Sequence, residues 1–242
     1  MRRGRALLSA PVLTAVVFLP TPPLLVPELA GDAASATQDL RDACLRAVGT
    51  IVDHSHSWTA IGVHESALEL GPEAAGSWRS FGVDVAVSLG PGSISAAELP
   101  LPALVAGWLR GRAAPDASVS MQLYRSDTTP ARCAELGRRL ADNPLPQALL
   151  VLGDGCTTLS AKAPGAFDER AASLQGRIDG ALSTVDFYAL GALDPELCTA
   201  LGVSGRVPWQ IAAAAVGPGW HGSSLYCGAP YGVGYQVAVW RS

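Results

Sequence analysis

The chain has 242 residues, of which 16% are charged and 49% are hydrophobic, and its formal net charge is -4 at pH 7. This length fits one large α/β domain or two small ones, and it suffices to bury a core without metal ions or disulfides. The composition favours a compact globule over a disordered chain. The acidic balance argues against a nucleic-acid-binding protein, which would need a basic face.

Cysteine usage gives a first indication of the compartment. The five cysteines are widely spaced and form no CxxC pair; they are Cys44, Cys133, Cys156, Cys198 and Cys227. Neither a disulfide framework nor a structural zinc site is expected from such spacing. The sequence therefore predicts reduced thiols and a cytoplasmic protein.

The first residues imitate the start of a signal peptide, with three arginines before an apolar stretch at positions 6–19. Pro11 interrupts that stretch, and no clean small-x-small cleavage site follows the stretch before the prolines at positions 20, 22 and 23. We therefore expect residues 1–11 to be a loose leader and residues 12–242 to be the domain, with a cleaved signal peptide as the alternative. No other segment keeps ~20 apolar residues, so no membrane span is predicted.

In chain order, residues 12–19 are β-branched and apolar on both faces, which is typical of a central strand in a covered sheet. A proline-rich loop follows, then a predicted helix at 32–48 and a short strand at 49–52. Further β-like runs occupy 58–63, 81–89 and 119–123, and further helices are predicted at 96–110 and 130–141.

The stretch 147–170, QALLVLGDGCTTLSAKAPGAFDER, organises the rest of the chain. Its apolar run at 148–152 stops at Gly153-Asp154-Gly155, as a buried strand does where it ends at the ligand-binding edge of an open α/β sheet. Helices at 167–182, 195–201 and 207–216 follow, and then strands at 221–227 and 233–240. We predict one α/β domain with a central, mostly parallel sheet flanked by helices and a C-terminal β-hairpin.

Four segments in order resemble the class III extradiol dioxygenase superfamily, with its LigB-like and Memo-like members. They are FLPTPPLLVPELAG, IVDHSHSW, LLVLGDGCTTLSAKAPGAFDERA and APYGVGYQVAVW. The resemblance implies an α/β fold of aromatic ring-opening oxidoreductases, with Fe(II) held by two His and one Glu at the carboxyl edge of the sheet. A further His would act as acid and base on a catechol-like, phenolic substrate in the presence of O₂.

This chain departs from that pattern at most of the functional positions. Thr21 stands in place of the first metal His, and His56, or His54, takes the place of the second. Cys156, Thr157 and Thr158 occupy the acid/base region, and Cys227 lies where the Glu is expected. The resemblance thus implies a fold of oxidoreductases with a degenerate site.

We predict a pocket at the sheet edge, formed by Thr21, His54, His56, Asp154, Cys156, Thr157 and Cys227. The first hypothesis is a pseudoenzyme that binds there a small molecule, phenolic or other, or a partner. The alternative is a metal-dependent oxidoreductase in which His56 and Cys227 hold one divalent ion, namely iron, copper or zinc. By analogy with the superfamily, the chain would form a homodimer.

Single residues leave alternatives open. Asp154 is either a hydrogen-bond acceptor of the pocket or the centre of an Asx turn that closes on its own backbone. His56 and His54 are either metal ligands or loop-capping and solvated residues. His64 has no second His four residues on, so the HExxH pattern is absent and we expect a surface residue. We expect a structural role for His221.

Overall fold

The computed structural model describes residues 13–52, 55–93, 95–96, 98–143 and 147–242. The strands in this part are β1 (Leu13–Leu19), β2 (Ser57–Val63), β3 (Leu68–Leu70), β4 (Ala74–Ser77), β5 (Ala86–Ser88), β6 (Ser95–Ala96), β7 (Ser118–Tyr124), β8 (Gln147–Leu152), β9 (His221–Gly228) and β10 (Tyr235–Arg241). The helices are α1 (Pro27–Ala30), α2 (Gln38–Val52), α3 (Leu101–Ala113), α4 (Pro130–Ala141), α5 (Arg170–Thr184), α6 (Phe187–Gly191), α7 (Pro195–Ala200) and α8 (Arg206–Ala215).

A seven-stranded sheet with the order β3-β7-β2-β8-β1-β10-β9 forms the centre of the domain. The four inner strands β7, β2, β8 and β1 are parallel, whereas β3, β10 and β9 pair antiparallel. A small second sheet has the order β5-β4-β6. The predicted fold class, a mostly parallel sheet flanked by helices with a C-terminal hairpin, is confirmed.

Strand β1 contributes to two cores because its side chains alternate between the faces of the sheet. Val17 and Leu19 join the core under α2 and α3, whereas Val16 and Phe18 join the core under α4, α5 and α8. The prediction of a central first strand is therefore confirmed. None of the described helices is both long and apolar enough to cross a membrane.

The predicted strand at 49–52 is wrong, because these residues are the last turn of α2. The buried residues Cys44, Val48 and Ile51 continue one helical stripe at intervals of four and three residues, so Ile51 packs in the core as part of the helix. The second strand of the sheet begins only at Ser57. This shift decides which side chains reach the ligand-binding edge.

Two other predicted boundaries also move. The helix predicted at 96–110 begins at Leu101, since Pro100 and Pro102 suit the first positions of a helix but not its interior. The run at 81–89 contains only the short strand β5, and a 3₁₀ turn at Trp78–Phe81 precedes it. Helix α4 spans the residues that the sequence predicts.

Helices α4 and α8 approach each other closely at Gly137. A Cβ atom there would lie 2.6 Å from the Cβ of Ala214 and closer still to the carbonyl oxygen of Ile211. We expect Gly137→Ala to lower the free energy of unfolding by about 1–3 kcal/mol, because neither backbone yields without loss of packing. Urea denaturation measures this loss.

Gly176→Ala in α5 is the matched control. No atom lies within 4 Å of the added Cβ at that position. This variant is expected to gain about 0.5–1 kcal/mol from helix propensity. Equal effects of the two substitutions would contradict the close packing of α4 on α8.

Candidate functional site at the sheet edge

The connections that follow the two central strands β1 and β8 lie on opposite faces of the sheet. The segment after β1 leads to α2 on one face, and the segment after β8 leads to α5 on the other. Because β1 and β8 are adjacent and parallel, a crevice opens between their carboxyl ends. Such a topological switch point is the preferred ligand site of open α/β sheets.

Thr21 and Asp154 bridge this crevice. The Thr21 backbone N–H donates to Oδ1 of Asp154 at 2.7 Å, and the Thr21 hydroxyl donates to Oδ2 at 2.9 Å. These two residues were both predicted for the pocket, and the structure brings them together. The carboxylate thus bonds to a residue 133 positions away in the chain, so the Asx-turn interpretation of Asp154 is wrong.

Further backbone contacts fix the loop around Asp154. Gly153 N–H donates to the Leu19 carbonyl at 3.0 Å and extends the pairing of β8 with β1 by one residue. The backbone N–H of Asp154 donates to the Ser204 hydroxyl oxygen, and the N–H of Gly205 donates to the Asp154 carbonyl, both at 2.9 Å. The start of α8 is therefore attached to the same crevice.

The pKa of the Asp154 carboxyl group is raised above its ordinary value. Burial raises its pKa from 3.8 to about 6, and the two hydrogen bonds from Thr21 only partly oppose this effect. A cation at the carboxylate would have lowered the pKa. The pKa of the group therefore lies close to neutral pH, in the range useful for proton transfer.

A cavity of about 400 Å³ opens beside Asp154 at the carboxyl ends of the four parallel strands. Its polar lining residues follow β1, β2, β7 and β8 or precede α8, and they are Thr21, His64, Glu65, Ser126, Asp154 and Ser204. Its apolar lining comes mainly from Val63, Leu101, Pro102 and Leu152. We call this cavity the edge pocket.

Sequence reasoning missed His64 and Glu65 as pocket residues, and the expectation that His64 is only a surface residue is wrong. His64 is half-buried and lines the edge pocket directly after β2. Its backbone N–H donates to the Tyr124 carbonyl at 2.9 Å, which extends the pairing with β7. The apolar run at 58–63 was the signal, because it places His64 and Glu65 at the carboxyl end of a strand.

Two buried arginines hold the loops that frame the edge pocket. Arg41 of α2 donates from Nε to the Leu25 carbonyl at 2.8 Å and fixes the loop after β1. Arg206 of α8 donates from Nη2 to the carbonyls of Ser126 and Thr128 and fixes the loop after β7. Each side chain satisfies main-chain acceptors inside the protein, so the loops are positioned before any ligand arrives.

His56 lies at the wrong end of the sheet for the predicted pocket. It directly precedes β2, and its carbonyl accepts a hydrogen bond from Ser118 N–H at the start of β7. A strand of this length separates the two edges of the sheet by roughly 20 Å. His56 is therefore not a pocket residue, because residues 49–52 continue α2 and the strand begins only after His56. His54 lies outside the described residues.

Cys156 and Thr157 also face away from the edge pocket. The Cys156 thiol is buried against the Ala171 carbonyl at 3.5 Å, its N–H donates to Gln175 Oε1, and burial raises the thiol pKa to about 12. Thr157 donates from its N–H to the Leu201 carbonyl at 2.9 Å. Both residues tie the loop after β8 to neighbouring elements. Their predicted place in the pocket is wrong.

Cys227 belongs to β9, with β10 between it and β1. Its thiol bonds to the Asp179 carboxylate of α5, and burial together with that charge raises the thiol pKa to about 11. His56 and Cys227 thus do not meet, because β9 is remote from the amino end of β2. The described residues contain no group of three or more His, Cys, Asp or Glu side chains that could hold a metal ion.

The fold and the pocket define an α/β protein with a switch-point cavity. The sequence matches no protein-family model, and no curated protein is detectably similar to it. Among solved structures, the chain is similar to the uncharacterized protein JW3007 from Escherichia coli K12, with a TM-score of 0.60 and 15% identity. The similarity covers 95% of this chain and 100% of the other, and it shows a shared fold.

The ionised form of Asp154 opposes folding, because its pKa is higher in the folded state than in the unfolded chain. We therefore expect Asp154→Asn to raise the free energy of unfolding by about 1–3 kcal/mol at about pH 7.5. The gain should shrink as the pH falls through about 6 toward 4, where the wild-type carboxyl group is neutral too. Urea denaturation at several pH values measures both effects.

Asp142→Asn serves as a charge-matched control at an exposed position after α4. It should change the free energy of unfolding by less than about 0.5 kcal/mol at any of these pH values. A loss of stability in Asp154→Asn at neutral pH would contradict the claim that the ionised carboxylate opposes folding, because it would mean that the fold needs the charge.

Proposed function

We propose that this chain is a divergent class III extradiol dioxygenase-like protein that binds a small molecule in the edge pocket and does not cleave aromatic rings. The observation that carries the binding proposal is Asp154, a partly buried carboxylate that no described cation contacts, at the switch point of the sheet. Groups kept ionised at a cost in stability cluster at functional sites. The four segments quoted above support the proposed ancestry.

The composition of the edge pocket supports a small ligand. Hydroxyl, imidazole and carboxyl groups converge from five loops above apolar walls, which is the usual make-up of a small-molecule site. A cavity of about 400 Å³ accommodates a molecule with a single ring. The buried arginines behind the loops make the site rigid, so binding costs little ordering.

The alternative, a metal-dependent oxidoreductase, rests on donor atoms that the described residues do not bring together. His56 and Cys227 lie apart, and His64, Glu65 and Asp154 line one cavity without forming a metal-binding group. A facial site needs two imidazoles and a carboxylate around one ion. The described residues do not fit such a site.

A fragment screen by ligand-observed NMR tests the binding proposal. We expect at least one fragment, phenolic or other, to bind the wild-type protein with a Kd in about the millimolar range or tighter. Ser126→Trp should abolish that binding, because the indole fills the cavity that Ser126 lines. Ser223→Trp, on the exposed edge strand β9, is the matched control and should bind as the wild type does.

Two outcomes would count against the binding proposal. Fragment binding that survives Ser126→Trp would place the ligand elsewhere on the protein. The absence of any binding fragment in a library of varied charge would contradict a binding function for the edge pocket.

Elemental analysis of protein purified without chelators separates the two functions. We expect iron, copper and zinc far below one ion per chain in both the wild type and His56→Ala, because His56 lies at the opposite edge from the pocket. A near-stoichiometric metal that is lost in His56→Ala would instead support the oxidoreductase and justify assays with catechols and O₂.

A further inference from the structure

The described lining of the edge pocket is acidic and contains no lysine or arginine. Asp154 and Glu65 supply two carboxyl groups, and His64 supplies an imidazole. The His64 Nδ1 atom lies 3.4 Å from the Ser66 N–H and 3.3 Å from the Ser66 carbonyl oxygen. The ring is therefore engaged with its own loop.

Among the residues that the structure describes, no lysine, arginine or histidine side chain bonds to Asp154. From α2 it faces the Cys44 thiol and from β10 the Tyr235 hydroxyl, and the Asp154 charge helps to raise the pKa of both groups. Arg206 of α8 directs Nη2 to the carbonyls of Ser126 and Thr128. It lines a neighbouring cavity that meets the edge pocket at Ser126.

The amino end of α8 offers a weak competing attraction for anions. Gly205 N–H is already used by the Asp154 carbonyl, and Pro208 in the first turn has no N–H to donate. The amino end of α3 likewise has a proline, Pro102, in its first turn. The ionised side chain of Asp154 is therefore the main charged group facing the pocket interior. Its oxygens can accept further hydrogen bonds.

The two carboxylate oxygens of Asp154 differ in their present partners. Each carboxylate oxygen of Asp154 accepts one hydrogen bond from Thr21, and a carboxylate oxygen can accept two. The Ser204 hydroxyl oxygen accepts the N–H of Asp154 and lines the pocket beside it. The charged oxygens of Asp154 and the neutral Ser204 hydroxyl therefore line the same cavity as Val63, Leu101 and Leu152, which provide apolar contact surface.

We propose that the ligand of the edge pocket is an organic amine, bound as its ammonium ion by Asp154 with an apolar body against the aliphatic walls. The inference rests on the proposed binding function and specifies its ligand class. The ammonium group donates to the free lone pairs of the Asp154 carboxylate and compensates a charge that the protein leaves unpaired. Glu65, at the exposed rim, adds attraction for cations during entry.

Three probes of equal size and different charge test the ligand class: benzylamine, benzyl alcohol and benzoate. Isothermal titration at about pH 7.5 should show benzylamine binding at least ~10-fold more tightly than benzyl alcohol, with benzoate the weakest. In Asp154→Asn the preference for the amine over the alcohol should fall below ~3-fold. Asp142→Asn, which removes one charge far from the pocket, should keep the full preference.

A titration against pH adds a second readout. The preference for benzylamine should decline as the pH falls through about 6, because Asp154 takes up a proton while the amine stays charged. Asp154→Asn should show no such decline. A decline of equal size in that variant would assign the effect to His64 or Glu65 and overturn the role of Asp154.

The remaining outcomes separate the inference from the binding function. If benzyl alcohol or benzoate binds as tightly as benzylamine, and Ser126→Trp abolishes the binding, the edge pocket is a ligand site but the ammonium inference is wrong. The same holds if other fragments bind in the pocket and benzylamine does not. If no fragment binds there at all, the proposed function fails together with the inference.

Discussion

The hydrogen bonds from Thr21 to the Asp154 carboxylate are the interaction on which the site depends. They join the chain after β1 to the chain after β8 across the crevice where the connections leave for opposite faces of the sheet. Two neutral donors hold an acidic group that burial makes costly to ionise. The carboxylate holds the crevice together through these bonds, and because no described cation balances it, its charge also faces the cavity.

The surrounding structure makes this arrangement rigid. The parallel pairing of β1 with β8 lies at the middle of the sheet and contributes side chains to both cores, so neither strand end moves without disturbing buried packing. Arg41 and Arg206 use their guanidinium groups on loop carbonyls instead of on carboxylates. The edge pocket is thus preorganised by hydrogen bonds that lie outside its own lining.

The fold and the chemistry of the site provide different kinds of information. The similarity to JW3007 concerns the chain path, and a chain path of this type supports many activities. The proposed function follows instead from particular groups: a half-buried carboxylate, two serine hydroxyls and a half-buried imidazole around an aliphatic cavity. Cys156 and Cys227, two of the predicted pocket residues, have thiols whose pKa is raised by burial and, for Cys227, also by the Asp179 charge.

The sequence by itself determined the elements with strong local patterns. The apolar run of β1, the strand that stops at Gly153-Asp154-Gly155 and the closing hairpin follow from residue type and spacing, and so do Thr21 and Asp154 as edge residues. Only the tertiary structure decided that 49–52 continues a helix, since a short apolar run suits a strand and a buried helical turn equally well. That single choice places His56 at the far edge, whereas the run at 58–63 already places His64 and Glu65 at the pocket edge. The environments of Cys156 and Cys227 likewise depend on contacts with distant segments, which no local pattern encodes.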